Sequence, residues 1–564
     1  MNKTKTFIIG LDGVSFRLIR RWISDNHLPT LKSLMEKGCY CDLESVYPPL
    51  TPAAWTSFYT GKNPGKHGLF DYQYRREGTY EMLPVDSGRV RSDSLWKILG
   101  TYGKKVGVIN VPMTYPAQEV NGFMITGLFT PNLSDLDKTN FTYPEALKDE
   151  IRSNIGRYRI HPRYFYAKGN IDELVRDYCE LIDQRVETTL YLMRSKPWDL
   201  LMMVINETDH IQHQLWHLLD PDHPDFDARE SEKYRDLFLR VYRRIDEGIA
   251  RMLEDIDTEN TNIIIMSDHG LGPVYKWINL NTWLLKKGYI RIKKSLRSRL
   301  KYIAFLMGFT PANAYRMMLR LTKNKGKKGG KLATGKRFLE RLFLNEEDIE
   351  WERTRAYSLS HMGQVNINLK GREPRGMVAP EDYGDMIRVL RDDLLKAGAD
   401  NSTADKLIAG AFTKDKLFQG PYVDQAADLY LKVARDHYHI LGGAAFISNK
   451  VIERSYGNSA THRIDGIFIA CGPAVKSSGA ITERIRIFDI AANILYMMKI
   501  PIPSDLDGKI IEGIYTAEYL NGNKAEYRNA NPRKKAVSSG SAGLSEEEIA
   551  ATREMLKKLG YVRE

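Results

Sequence analysis

Short apolar runs alternate along the first half of the chain with longer stretches whose apolar residues recur at helical spacing. The runs predict strands over 6–11, 105–111, 199–205 and 262–266, and the periodic stretches predict helices over 171–192 and 234–256. Strands of this kind, apolar on both faces and separated by helices, imply an α/β fold with a parallel sheet covered on both sides. Beyond Gly270 the pattern loosens, with strand-like stretches near 289–292, 365–369, 428–433 and 466–470. We expect core segments at 1–285 and 425–528, an inserted cap at 286–424, and a linker with a terminal helix at 529–564. Ser545 and Glu548 are spaced as a capping box for that helix.

In a parallel α/β sheet, ligands sit beyond the carboxyl ends of the strands. Three such ends carry metal-ligand residue types: Asp12, then Asp209 with His213, then Asp268 with His269. Asp209 and His213 lie four apart, so on a helix both project from one face and can grip one ion. His462 precedes the 466–470 run. The segment 47–57 offers the hydroxyls of Thr51, Thr56 and Ser57. A free alcohol is a poor nucleophile at neutral pH, and a divalent cation activates it by stabilising the alkoxide. Thr51 also precedes Pro52, which suits a helix start, so it reads equally as a helix cap.

Composition narrows the class. With 564 residues, 43 % hydrophobic and 10 % aromatic, the chain has the material for a large core and is not a disordered one. The formal charge is +12, yet 291–337 alone holds fifteen Lys or Arg and no acid, leaving about −3 (12 − 15) elsewhere. Within it, Leu296, Leu300, Ile303 and Met307 recur at helical spacing beside Arg297, Arg299 and Lys301, and Thr310-Pro311 starts a second helix. The spacing predicts a helical hairpin packed on the core with its basic face in solvent. The sharper alternative is docking on an anionic membrane. No motif for sequence-specific nucleic-acid binding accompanies the charge. Four cysteines form neither a disulfide framework nor a CxxC pair, and no apolar run nears the ~18 residues of a spanning helix. We expect a cytoplasmic protein, in peripheral contact with membrane if 291–337 docks.

The ordered set FIIGLDG, PPLTPAAWTSFYTGKNPGKHG, ETDHIQH, MSDHG and THRIDG resembles the alkaline phosphatase superfamily, and within it the type I phosphodiesterases and nucleotide pyrophosphatases, in their prokaryotic phosphohydrolase branch. The resemblance implies a three-layer core with a mostly parallel central sheet, helices on both faces and an inserted cap. It implies two divalent metal ions, zinc in most relatives and manganese in some. Asp209, His213 and His462 would hold one ion, and Asp12, Asp268 and His269 the other, with Thr51 bridging or ligating the second. It also selects Thr51 over Thr56 and Thr60 as nucleophile, by its spacing to Gly61. Where relatives carry an Asn after the His67 loop, this chain runs through Asp71 to Tyr72, which leaves the oxyanion donor open among the backbone after Thr51, Tyr72 and the cap; His67 reads as structural. A sulfatase would need Arg four residues after a Cys or Ser, where this chain has Thr51 and Trp55. The implied reaction is hydrolysis of a phosphodiester, phosphomonoester or pyrophosphate through a phosphothreonine, on a small phosphate ester, nucleotide or lipid head group. The alternatives are a phosphomutase-type transferase and a non-catalytic membrane-associated binding protein.

Overall fold

The computed structural model describes residues 4–167, 169–322, 342–360, 362–398, 406–443, 446–530 and 543–561. A central sheet runs in the order Gly479–Ala480, Cys39–Glu44, Asp465–Cys471, Thr261–Met266, Lys5–Leu11, Leu200–Ile205, Val106–Val111, Gly122–Thr126, Thr142–Tyr143, and Ile485–Arg486 also pairs with Cys39–Glu44. The five strands from Thr261–Met266 to Gly122–Thr126 are mutually parallel, whereas Asp465–Cys471 runs antiparallel to both of its neighbours. The sheet is thus mostly parallel.

The continuous apolar runs follow from burial on both faces. Phe7, Ile9 and Leu11 point into one hydrophobic cluster and Ile8 into the other; Leu201, Met203 and Ile205 alternate likewise with Leu200, Met202 and Val204. Helices Phe16–Ser24, Pro29–Lys37, Ile171–Ser195 and Ala228–Glu254 cover the first face. Thr51–Thr60, Leu95–Thr101, Asp489–Met497 and the C-terminal Glu546–Leu559 cover the second. This is the α/β architecture with helices on both faces.

A third cluster draws on buried residues from Ile278 to Phe446, with Tyr80, Met82, Val451 and Ile452 packed against it. Its antiparallel sheet runs Ala356–Tyr357, Gln364–Ile367, Leu429–Val433, Ile408–Thr413. The strand expected near 428–433 therefore pairs with Gln364–Ile367 and Ile408–Thr413 rather than in the central sheet, which the chain rejoins at Asp465–Cys471. The strand expected at 289–292 does not form; Ile292 makes an isolated bridge with Ile349.

In the basic segment, helices Leu296–Leu306 and Pro311–Thr322 occur where the spacing placed them, but the first does not pack as expected. Leu296 is 75 % exposed and Met307 79 %, with Leu300 and Ile303 also exposed. The inward side instead carries Ser298 and Lys301, which donate to Asp348 at 2.8 and 2.9 Å, and the buried Phe305, while Arg297 and Arg299 stay exposed. Residues 323–337 of that segment, and 531–542 of the expected linker, lie outside the described residues. Among the described residues no helix is long and apolar enough to cross a membrane.

Candidate metal centre

Asp12 ends the first strand, and Gly13 turns the chain away with φ +71°; a Cβ there would lie 2.3 Å from Leu271 Cδ1 and 2.9 Å from Asp209 Oδ1. Asp209 and His213 share one face of Glu207–Leu215, the helix that follows the strand Leu200–Ile205. That helix is locked in place. Thr208 Oγ1 donates to Asp12 O at 2.6 Å, Gln212 Nε2 to Gly13 O at 3.0 Å, and Glu207 forms a fully buried ion pair with Arg185 at 2.9 Å. Asp268 and His269 follow Thr261–Met266, and the ladder of Gly270–Pro273 with Ala460–Arg463 sets Leu271 opposite His462. Two ligand-type residues almost two hundred positions apart thereby become neighbours.

All seven candidates converge and all are buried: Asp12, Thr51, Asp209, His213, Asp268, His269 and His462. His213 Nε2 lies 3.0 Å from His462 Nε2 and 3.3 Å from Asp209 Oδ1, with His462 Nε2 3.6 Å from the same oxygen. His269 Nε2 lies 3.3 Å from Asp268 Oδ2, 3.6 Å from Asp12 Oδ1 and 3.1 Å from Thr51 Oγ1. The His269 and His462 rings stack at 3.9 Å, joining the two groups.

The hydrogen bonds orient every donor atom. Nδ1 of His213, His462 and His269 faces the carbonyls of Ala460 (2.8 Å), Pro49 (2.9 Å) and Gly270 (3.1 Å), so in each neutral ring Nδ1 carries the proton and Nε2 presents its lone pair to the cluster. Asp12 Oδ1, Asp209 Oδ1 and Asp268 Oδ2 are buried without any hydrogen-bond partner. Three imidazole nitrogens and three carboxylate oxygens, meeting in one buried cluster with the carboxylate oxygens unpaired, fit divalent cations.

Electrostatics agree with that fit. Burial and the charge of Asp209 push Asp12 up to about 8, and burial with Asp12 raises Asp268 well above the usual carboxylate value. Burial opposes ionisation of Asp209 too, but His213 and the other imidazoles outweigh it and hold this carboxyl low. His213 is raised by Asp209 against the effect of burial, whereas burial lowers His269 to about 4 and His462 well below the usual value. Uncompensated negative charge is thus resisted, and a cation relieves it.

Thr51 is the first residue of its helix, and the alternative role as a cap is not what its side chain does: Leu50 is the N-cap, and Thr51 Oγ1 instead meets Tyr72 OH at 2.9 Å and His269. Tyr72, a candidate oxyanion donor from sequence, therefore sits beside the hydroxyl. Burial raises its phenol well above the usual value, so it stays neutral and able to donate. His67 lies apart from the centre; Nδ1 accepts from Leu69 N–H at 3.2 Å and Nε2 meets Ser57 Oγ at 2.9 Å. A cleft of ≈ 730 Å³ between core and insert, lined by Tyr47, Pro49, Met362 and His439, reaches His462.

Sequence reasoning missed four supporting residues. Trp55 Nε1 and Asn206 Nδ2 donate to Asp12 Oδ2 at 3.2 and 2.7 Å, Tyr561 OH donates to Asp209 Oδ2, and Arg185 anchors Glu207. Asn206 had a signal, since it directly follows a strand. Trp55 had one too, lying four residues after Thr51 on the same helix face.

The family model for type I phosphodiesterase / nucleotide pyrophosphatase matches residues 6–447. The chain belongs to that family. It is therefore one of the phosphoric ester hydrolases, with His462 lying just past the matched stretch. Phosphonoacetate hydrolase from Sinorhizobium meliloti 1021, in complex with phosphonoformate, shares the fold with a TM-score of 0.51 at 14 % identity, covering 88 % of this chain and 96 % of its own. Murine ectonucleotide pyrophosphatase / phosphodiesterase 5, in an inactive form in complex with AMP, aligns at 11 % identity and a TM-score of 0.44 over 88 % and 96 % of the two chains. A search of curated proteins finds no match.

Proposed function

We propose that this member of the family hydrolyses phosphate esters, diesters before monoesters or pyrophosphates, by way of a phosphothreonine on Thr51. The observation that carries the reading is one buried cluster of three orphaned carboxylate oxygens and three Nε2 atoms turned inward, with the Thr51 hydroxyl 3.1 Å from His269 Nε2. Asp209, His213 and His462 would hold one divalent cation, and Asp12, Asp268, His269 and Thr51 the other. The mixed nitrogen and carboxylate set suits zinc, with manganese the alternative. Such ions supply positive charge that stabilises an alkoxide and draws electron density from the phosphoryl oxygens.

The chain's own groups do the rest. Thr51 Oγ1 forms a bond to phosphorus as the bond to the leaving-group oxygen breaks, its proton passing to that oxygen through solvent; water then attacks phosphorus, the Thr51 Oγ1–P bond breaks in turn, and a proton from the water returns to Oγ1. Tyr72 donates to Oγ1 and holds it on line. The amide groups at the start of Thr51–Thr60 face the phosphoryl group with the positive end of the helix dipole. Zinc-reconstituted protein assayed on bis(4-nitrophenyl) phosphate and 4-nitrophenyl phosphate tests the reading; the diester should turn over faster, and no turnover of either would remove it.

One observation favours a membrane partner as well. Leu296, Leu300, Ile303 and Met307 form an outward apolar face in a segment with fifteen cations and no acid. Apolar area flanked by uniform positive charge is complementary to anionic lipid, and the reading is peripheral docking of this face there.

A further inference from the structure

The three carboxylates of the centre follow one rule. Asp12 is held through Oδ2 by Trp55 Nε1–H and Asn206 Nδ2–H, and its Oδ1 has no partner. Asp268 is held through Oδ1 by the Gly13 N–H at 3.3 Å, and its Oδ2 has none. Asp209 is held through Oδ2 by the phenol of Tyr561, and its Oδ1 has none. Each is fixed through one oxygen by uncharged donors, which bring no charge of their own to the carboxylate and leave the other oxygen free. Two of the three sets of donors come from the core motifs. The third comes from the far end of the chain.

Tyr561 is delivered with care. Helix Glu546–Leu559 opens on the Ser545–Glu548 capping box and buries Met555, Leu556 and Leu559 in the core cluster. Tyr115 OH donates to Glu548, and Arg553 Nη2 donates to Met82 O at 2.8 Å. Gly560, at φ +85°, ends the helix and turns the next residue inward; a Cβ there would strike the Asn458 side chain at 2.4 Å. The Tyr561 ring then stacks on Tyr72 with centroids 4.8 Å apart and planes at 13°, and stands edge-on to His213 at 5.6 Å. Among its neighbours are thus the partner of the nucleophilic hydroxyl and two ligand-type imidazoles, His213 and His462.

We infer that the C-terminal helix completes the metal centre, with Tyr561 as a positioning residue that orients Asp209 towards the ion shared with His213 and His462. The inference rests on the reading of those three residues as ligands. A donor to the outer oxygen of a ligating carboxylate fixes its orientation, and loss of such a partner costs about 10–100-fold in metal affinity.

The test titrates full-length, metal-free protein with zinc by calorimetry against a competing chelator, in wild type and Tyr561→Phe. The phenylalanine keeps the ring stack and removes only the donor. Wild type should take up two ions, and Tyr561→Phe should bind one of the two about 10–100-fold more weakly. Hydrogen exchange over 546–559 should be unchanged in the variant, which separates orientation of Asp209 from mere docking of the helix. Equal affinity for both ions in the two proteins overturns the inference and leaves the two-ion reading standing. A wild type that binds no ion overturns both. If Tyr561→Ala instead binds both ions as wild type does and binds inorganic phosphate more tightly, Tyr561 obstructs the site and the positioning role is overturned.

Discussion

His213 and His462 face each other with their Nε2 atoms 3.0 Å apart, and each ring is tied through Nδ1 to a backbone carbonyl. Two neutral rings held this way present lone pair to lone pair. Only a cation between them resolves the contact: a proton on His213, whose basicity Asp209 raises, or a metal ion that uses both nitrogens and Asp209 Oδ1. Replacing His462 with Ala should therefore lower bound zinc from two ions to one per chain, by elemental analysis after dialysis, and weaken the affected position at least about 10–100-fold.

Thr51→Ala separates chemistry from metal binding. The carboxylates and imidazoles remain, so zinc content should stay close to wild type while kcat falls roughly a thousandfold or more, the scale of losing a nucleophile. Thr51→Ser should retain part of the rate and yield a phosphorylated serine on rapid acid quench. Undiminished turnover in Thr51→Ala would take Thr51 out of the reaction.

The Arg185–Glu207 pair is fully buried and begins the helix that carries Asp209 and His213. Arg185→Met leaves the Glu207 charge uncompensated and should cost about 3–5 kcal/mol in denaturant unfolding. Arg185→Met with Glu207→Gln removes both charges and should recover much of the loss. A single variant as stable as wild type would show that the pair does not anchor this helix.

Burial, aided by the charge of Lys62, lowers His67 from 6.5 to about 3. Between those values the unfolded chain binds a proton that the native ring refuses, so this residue's contribution to stability is full above pH 6.5 and declines as pH falls towards 3. His67→Asn lacks that titration. The difference in Tm between wild type and His67→Asn should narrow steadily from pH 6.5 to 4, and a constant difference would show that His67 accepts a proton in the folded protein.

Vesicle flotation addresses the exposed face of Leu296–Leu306. Wild type should float with vesicles containing anionic lipid, less so as salt rises, and Leu300→Glu with Ile303→Glu should not. Equal recovery with neutral vesicles would count against docking.

Much of this centre was legible because the chain announces its strand ends. Hydrophobic periodicity fixes where the strands stop, and Asp12, Asp209, Asp268 and His269 fall there; the four-residue interval then adds His213. His462 was different, since its place depends on a ladder with residues near 270, and only the ordered motifs pointed to it. Tyr561 gave no local signal, because a donor to a carboxylate is defined by tertiary approach rather than by spacing. The Leu296–Met307 stripe shows the limit of periodicity: it found the helix but not which side faces the protein, where Ser298 and Lys301 meet Asp348 about fifty residues away and Phe305 is buried. The same holds for Leu429–Val433, whose composition suits either sheet and whose partner strands lie in the insert.

Anomalous diffraction at the zinc edge, on crystals of the full-length protein grown with zinc, tests the two-ion centre most directly. Two peaks should appear, one among Asp209, His213 and His462 and one among Asp12, Thr51, Asp268 and His269. Zinc found only elsewhere on the chain, or none within reach of these seven side chains, would contradict the account.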